Sequence, residues 1–221
     1  MVLYEDTVPP RQRRTDARRN RVKVLTAATD LYAARGLEVS LNEIARHAKV
    51  GIATLQRNFP QREDLVAEVF APRVREYADA AEAAAENPDP WAAFRGYVEL
   101  VCRMQCEDRG FAAVLNTSFP ASAELEAERR RALRGFTRLV RRAKEAGVLR
   151  GDFSPHDLPL FLLANAGVVI GTGSNAAKAS RRLTAFFLQS CALVDSEPLP
   201  AGPPARSLLR TLDPPLPPTP Q

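Results

Sequence analysis

Apolar positions along the chain recur three and four residues apart, and this spacing predicts one helix after another. A first helix, over 18–35, sets Val24, Ala28, Leu31 and Tyr32 on one face and stops at Gly36, a left-handed cap. Two short helices follow. Residues 41–48 align Leu41, Ile44, Ala45 and Ala48, and residues 52–59 keep Leu55 and Phe59 for the core. A longer helix over 62–84 turns Leu65, Val66, Val69, Phe70, Val74 and Tyr77 inward, and Pro72 inside it removes a backbone hydrogen bond and is expected to kink it. Residues 90–109 carry Trp91, Phe94, Tyr97/Val98, Val101 and Met104 or Gln105 at helical spacing, and 111–119 form a short apolar helix or turn. The helix over 121–146 directs Leu125, Leu133, Phe136, Val140 and Ala143 inward and ends at Gly147. Residues 158–170 are apolar almost all round, which calls for burial, and a last helix over 175–194 places Leu183, Phe186, Phe187, Ser190 and Val194 on one stripe. The fold class is all-α.

Local chemistry sharpens the start of this series. Ser40 precedes Glu43 by three residues, the spacing of a capping box, and Val39 and Ile44 stand where a hydrophobic staple packs. Between the two short helices lies the turn Lys49-Val50-Gly51, and Thr54, Gln56, Arg57 and Asn58 are left on the outer face of the second. Two short helices joined by a tight turn, the second polar outside, predict a helix-turn-helix. Further on, Asp89 caps the helix that Pro90 opens.

The run 21–66 resembles the DNA-binding head of the tetracycline-repressor (TetR) family. The matching positions are Val24-Leu25, Ala27-Ala28, Leu31-Tyr32, Gly36-Leu37, Val39-Ser40, Ile44-Ala45, Ala48, Val50, Thr54-Leu55, Phe59 and Arg62-Glu63-Asp64-Leu65. Lys49 replaces the family's usual Gly in the turn, Gly51 its usual Ser cap, and Gln56 and Asn58 its usual aromatic or His phosphate contacts. The resemblance implies a three-helix head and a helical ligand-binding and dimerisation body. Residues 1–17 would be a basic, flexible arm, 18–66 the head with a linker helix to about 84, 67–195 the body, and 196–221 a disordered tail holding nine of the eighteen prolines. In the head, Ile52, Ala53, Thr54 and Arg57, with Asn42 beside them, would face the major groove, Arg57 contacting a base. Lys49, Thr54, Gln56, Asn58 and Arg62 would hold phosphates, and Ser40 and Gly51, which cap the two helices, would belong to the same DNA-binding set. In the body, Phe94, Tyr97, Val101, Phe111, Phe136, Phe161 and Asn165 would line a site for a small hydrophobic effector. Leu158, Leu162, Val169, Leu183, Phe186, Phe187 and Ser190 would pair with a second copy, so that a homodimer reads a palindromic operator in double-stranded DNA.

Charge agrees with that partner. The net charge of +5 is modest, but residues 11–23 hold seven basic side chains against the single acid Asp16, a block that suits a polyanion. A second basic run, Arg129, Arg130, Arg131, Arg134, Arg138, Arg141, Arg142 and Lys144, reads as a solvated helix face, with a second nucleic-acid surface as the alternative. No signal peptide is visible at the N-terminus, and the apolar stretch 158–170 is too short for a membrane span. Three cysteines without framework spacing point to a reducing cytoplasm. The two histidines, His47 and His156, fall in different domains, no glycine-rich phosphate loop occurs, and no catalytic constellation, metal site or cofactor is expected. Two other readings are a non-specific architectural DNA-binding protein and a thiol-based redox sensor built on Cys102 and Cys106, which share a helix face.

Overall fold

The computed structural model describes residues 10–117 and 122–193. The outer part of the expected arm and the proline-rich tail lie outside them. The described chain runs α1 (Pro10–Arg35), α2 (Leu41–His47), α3 (Ile52–Asn58), α4 (Arg62–Glu86), α5 (Pro90–Glu107), α6 (Arg109–Asn116), α7 (Ala123–Glu145), α8 (Asp157–Thr172) and α9 (Ala176–Cys191), with a 3-10 turn, Gly173–Asn175, before the last. The one β-type contact among the described residues is an isolated bridge between Leu149 and Ala192.

α1 begins earlier than its apolar face suggests. Residues 10–17 are helical where a flexible arm was expected. Pro10 occupies the first helical position, where its missing N–H costs nothing, and no glycine or proline interrupts the chain from there to Arg35. α4 also runs unbroken, through Pro72, to Glu86.

The head core joins Val24, Ala28 and Tyr32 of α1 to Ile44, Leu55 and Phe59, and to Leu65, Phe70 and Val74 of α4. It does not stop at the domain boundary, because Met104, Phe111, Val114 and Leu125 of the body belong to the same cluster. The tightest point of that seam is Gly110. A Cβ there would stand 2.5 Å from the Phe70 ring and 3.0 Å from the Tyr32 carbonyl oxygen, so α6 reaches α1 and α4 only because residue 110 has no side chain. Gly135 serves the same purpose between α7 and α4, where a Cβ would meet the Ala81 carbonyl carbon at 2.9 Å.

The body core is built from α4, α5, α7 and α8 around Phe94, Tyr97, Phe136, Phe153 and Phe161. Leu133, expected inward on α7, is 44% exposed, because that helix presents Ala132, Gly135, Phe136 and Leu139 to its neighbours instead. The basic run on α7 is a solvated face only in part: Arg130, Arg134, Arg138 and Arg141 are exposed, and the others are used inside the molecule. Arg129 donates to the carbonyls of Val114 (2.6 Å), Thr117 (2.6 Å) and Leu115 (3.1 Å), closing the C-terminal end of α6. Arg142 does the same for α4, donating to the carbonyls of Ala85 and, at 2.7 Å, Asn87. Arg131 is gripped by Asp79, Glu82 and Glu128, each at 2.6 Å. The unsatisfied carbonyls of a helix end attract cations, and arginine on a neighbouring helix reaches them with two or three N–H groups at once.

α8 and α9 fold back on one another. The rings of Phe161 and Phe187 stack with centroids 3.9 Å apart, and Ser180 bonds Asn165, so the helices run antiparallel. By length and composition, Asp157–Cys191 is apolar enough to cross a membrane. It is not one rod, however. The chain turns at Gly173 (φ +53°), and each 16-residue arm is about 24 Å long, short of a bilayer's hydrocarbon core of about 30 Å. Leu158, Leu162 and Val169, expected at a dimer interface, are 2–3% exposed and belong to the chain itself. The uncovered apolar side chains on this hairpin are Leu160, Ile170 and Phe186, with Ala164 and Gly167 also outward. α9 buries Ser180, Thr184, Leu188 and Cys191, which leaves Leu183 and Phe187 half-buried and Ser190 exposed.

Candidate nucleic-acid interface

The Ser40 hydroxyl accepts the Glu43 amide at 3.2 Å, as the cap spacing predicts. The reciprocal half of the expected capping box is missing, because the Glu43 carboxylate is drawn away to the guanidinium of Arg35. Val39 and Ile44 are both buried. After His47 the chain closes a Schellman turn. Lys49 donates to the Arg46 carbonyl (3.1 Å) and Val50 to the Ala45 carbonyl (3.0 Å), and Lys49 takes φ +55°. A lysine at that left-handed position costs about 1 kcal/mol relative to glycine. It also leaves an exposed ammonium at the mouth of the turn.

α3 then starts at Gly51, whose carbonyl accepts the amides of Thr54 (2.9 Å) and Leu55 (3.1 Å) without any side-chain cap. Leu55 anchors the helix in the core. Ala53, Gln56 and Arg57 are exposed, as are Asn42 and Ser40 on the α2 side. Thr54 is half-buried, and Ile52 packs partly against the head core instead of standing clear of it. Arg57 lies back along its own helix, Nε donating to the Ala53 carbonyl (3.2 Å) and Nη2 to the Thr54 hydroxyl (3.1 Å). Asn58 uses its amide on the Thr54 carbonyl at 2.7 Å. Arg62 places its guanidinium 6.0 Å over the Tyr32 ring.

Arg21, counted in the sequence among the phosphate-seeking block, has another task. Its Nη1 donates to the Asn58 carbonyl (2.9 Å), its guanidinium pairs with Glu68, and it lies 4.4 Å over the ring of Phe59. The end of α3 is thereby tied to α1 and α4 through one side chain. Arg18, Arg19, Lys23 and Lys49 have no ion pair among the described residues and remain open to solvent or half-open.

The residues expected to line an effector site are all buried. Phe94 stacks on Phe136 (6.0 Å) and Tyr97 leans on it (5.5 Å), while Phe111 meets Tyr77 edge-on (6.4 Å) and Phe161 stacks on Phe187. Val101 is fully enclosed among them. Asn165 belongs to a buried polar chain, donating to Gln105 at 2.8 Å. Burial, then the neighbouring Tyr77, raises the pKa of the Tyr97 phenol well above the ordinary tyrosine range, and the two rings stack 5.8 Å apart.

The three thiols are free. Burial pushes Cys102 and Cys191 up to about 12, which keeps both protonated and unreactive at neutral pH and weakens the thiol-sensor reading. Among the described residues no group of His, Cys, Asp and Glu is arranged to hold a metal.

Comparison with known proteins agrees with this layout. The family model described as bacterial regulatory proteins, tetR family, matches residues 24–69, and that of the transcriptional regulator SbtR-like C-terminal domain matches residues 89–189. No curated protein matches. Among solved structures, a TetR transcriptional regulator of Streptomyces coelicolor is 30% identical, covering 78% of this chain and 98% of its own, with a TM-score of 0.48. A TetR-family regulator of Agrobacterium tumefaciens is 19% identical, covering 80% and 100%, with a TM-score of 0.57. SmeT, the repressor of a Stenotrophomonas maltophilia multidrug efflux pump, is 20% identical, covering 81% and 97%, with a TM-score of 0.53. With a helix-turn-helix head and a regulator body each matched in place, the chain belongs to the TetR family of DNA-binding transcription regulators.

Proposed function

We propose that the chain is an operator-specific repressor that binds DNA in the cytoplasm as a symmetric homodimer and lets go when a small, largely apolar effector occupies its body. The observation that carries this reading is the open face of α3. Gln56 and Arg57 stand clear there on a helix whose opposite side is locked into the core by Leu55. Arg57 leaves its bonds to Ala53 and Thr54 to contact a base edge, and a bidentate contact to guanine discriminates by about 1–3 kcal/mol. Gln56 serves the phosphates.

Dimerisation is supported by the uncovered apolar side chains of the α8–α9 hairpin, Ile170 at 67% and Phe186 at 54% exposure, flanked by Ala164 and Gly167, which permit close approach of a second copy. Effector binding is supported by the aromatic cluster around Tyr97. The buried hydroxyls of Tyr97 and the stacked Tyr77 are polar atoms there that a bound molecule could engage.

Selection of bound genomic fragments, followed by titration of single-base variants, tests the reading. Arg57→Ala is expected to relax preference at one position in each half-site, and Gln56→Ala to weaken all sequences alike. A purified protein that sediments as a monomer, or that binds random duplex as tightly as any selected fragment, overturns it in favour of an architectural protein.

A further inference from the structure

A cleft of about 420 Å³ opens between α5 and α9, away from the aromatic cluster and from the head. That volume lies within the range of small-molecule sites, roughly 300–1,000 Å³. Cys102, Cys106, Ala177 and Ala185 give it apolar walls. Its floor is polar in an unusual way for a helical core. Ser180 and Thr184, both nearly inaccessible, lie along it.

Both hydroxyls have already committed their protons. The Ser180 hydroxyl donates to Asn165 Oδ1 (2.7 Å) and the Thr184 hydroxyl to the Ser180 carbonyl (2.8 Å). Behind Ser180 the chain continues, with Asn165 donating to Gln105 and Gln105 to the Leu162 carbonyl (3.1 Å), every member buried. What the floor offers to an occupant is therefore acceptor oxygen, and it is complemented by a group that donates a hydrogen bond.

The mouth of the cleft carries the opposite demand. Arg181 is exposed with no ion pair among the described residues, Arg103 stands 3.9 Å from Glu107, and Glu99 is the single acid on the rim. Arg103 has Glu107 beside it, which leaves Arg181 as the guanidinium of the rim that is open to an anion.

We infer that this cleft is a binding site for a small hydroxylated carboxylate, with an apolar body against the thiols, a hydroxyl donated to Ser180 or Thr184, and a carboxylate held by Arg181. It is a different place from the aromatic cluster and does not depend on DNA binding. Its position gives it a route to the head. Arg103 and Cys106 lie in the last turns of α5, Asp108 caps α6 by accepting the Phe111 amide (2.9 Å), and Gly110 then abuts Tyr32 and Phe70.

Cys106 makes the test direct, because it is a half-exposed thiol on the cleft wall while Cys102 and Cys191 are buried. Alkylation by iodoacetamide, followed by mass spectrometry of the intact full chain, reads occupancy without any operator. The probe is 4-hydroxyphenylacetate, compared with tyramine, which carries a cation in place of the carboxylate, and with phenylacetate, which lacks the hydroxyl. At ten times its Kd, 4-hydroxyphenylacetate is expected to slow labelling of Cys106 about tenfold. Tyramine is expected to leave labelling unchanged and phenylacetate to protect more weakly. Arg181→Ala, on an exposed position, is expected to remove the protection while keeping its helical circular dichroism and thermal midpoint. Absence of protection by the hydroxylated acid overturns the inference, as does equal protection by tyramine or by phenylacetate, or protection that survives Arg181→Ala. Loss of operator binding would sink the repressor reading and leave this result standing.

Discussion

The arginines of the head and those of α7 look alike in the sequence and behave differently in the fold. On α7, Arg129 and Arg142 close the carbonyl ends of α6 and α4, Arg131 holds three carboxylates, Arg138 pairs with Glu86 at 3.0 Å and Lys144 donates to the Gly151 carbonyl at 2.7 Å, so most of the run is used and Arg130 and Arg134 stay exposed. On the head, Arg18, Arg19, Lys23 and Lys49 are left without an acidic partner. A cation already spent inside the molecule releases few counterions when DNA arrives, whereas an unspent one contributes fully. Count alone therefore does not locate a nucleic-acid surface. What locates it is the set of cations that the chain itself has not used.

The sharpest way to break this contrast is Arg129→Ala. It strips a charged donor from three carbonyls at the end of α6, where charge-assisted bonds contribute about 1.5–3 kcal/mol each but share one side chain. A loss of about 3 kcal/mol is expected, seen as a fall in Tm of roughly 6–12 °C, with operator affinity per folded molecule unchanged. A large affinity loss at full stability would instead make α7 a nucleic-acid surface. Next in size, replacing Arg19 and Lys23 by Gln is expected to leave Tm within about 2 °C and to flatten the slope of log affinity against log salt by up to about 2. An unchanged slope would show that these side chains do not reach phosphate. Lys49→Gly separates the two roles within one residue. It relieves the left-handed backbone by about 1 kcal/mol and raises Tm, yet lowers operator affinity by removing a cation. Smallest, Gly51→Ser supplies the missing cap of α3. No atom stands within 4 Å of the new Cβ, so a gain of a few tenths of a kcal/mol is expected in chemical denaturation.

Where the sequence was legible, the signals were local. The cap at Ser40, the turn at Lys49 and the apolar spacing of Ile44, Leu55 and Phe59 lie within some twenty residues, and the helix-turn-helix follows from them. Apart from Glu128, three residues from Arg131, the partners of Arg21, Arg131 and Arg142 lie 37 to 57 residues away in the chain, beyond any short window of sequence. Glu43 left its capping role for Arg35, eight residues before it, because the turn at Gly36 brings the end of α1 back over the start of α2. On α9 the apolar stripe drew attention to Phe186 and Leu183. The face the body core actually receives includes Ser180 and Thr184, tolerated there because Asn165 and the Ser180 carbonyl satisfy them. Burial of a hydroxyl depends on its partner, and periodicity is blind to partners.

Gly110 sets the mechanical character of the whole assembly. With no side chain interposed, the first turn of α6 bears on the main chain at Tyr32 and on the Phe70 ring, while its last turn is bolted to Arg129. A short rod seated hard at both ends has almost no backlash. Close packing of this kind passes strain between the groups in contact, so α6 cannot shift without pressing on Tyr32 and Phe70.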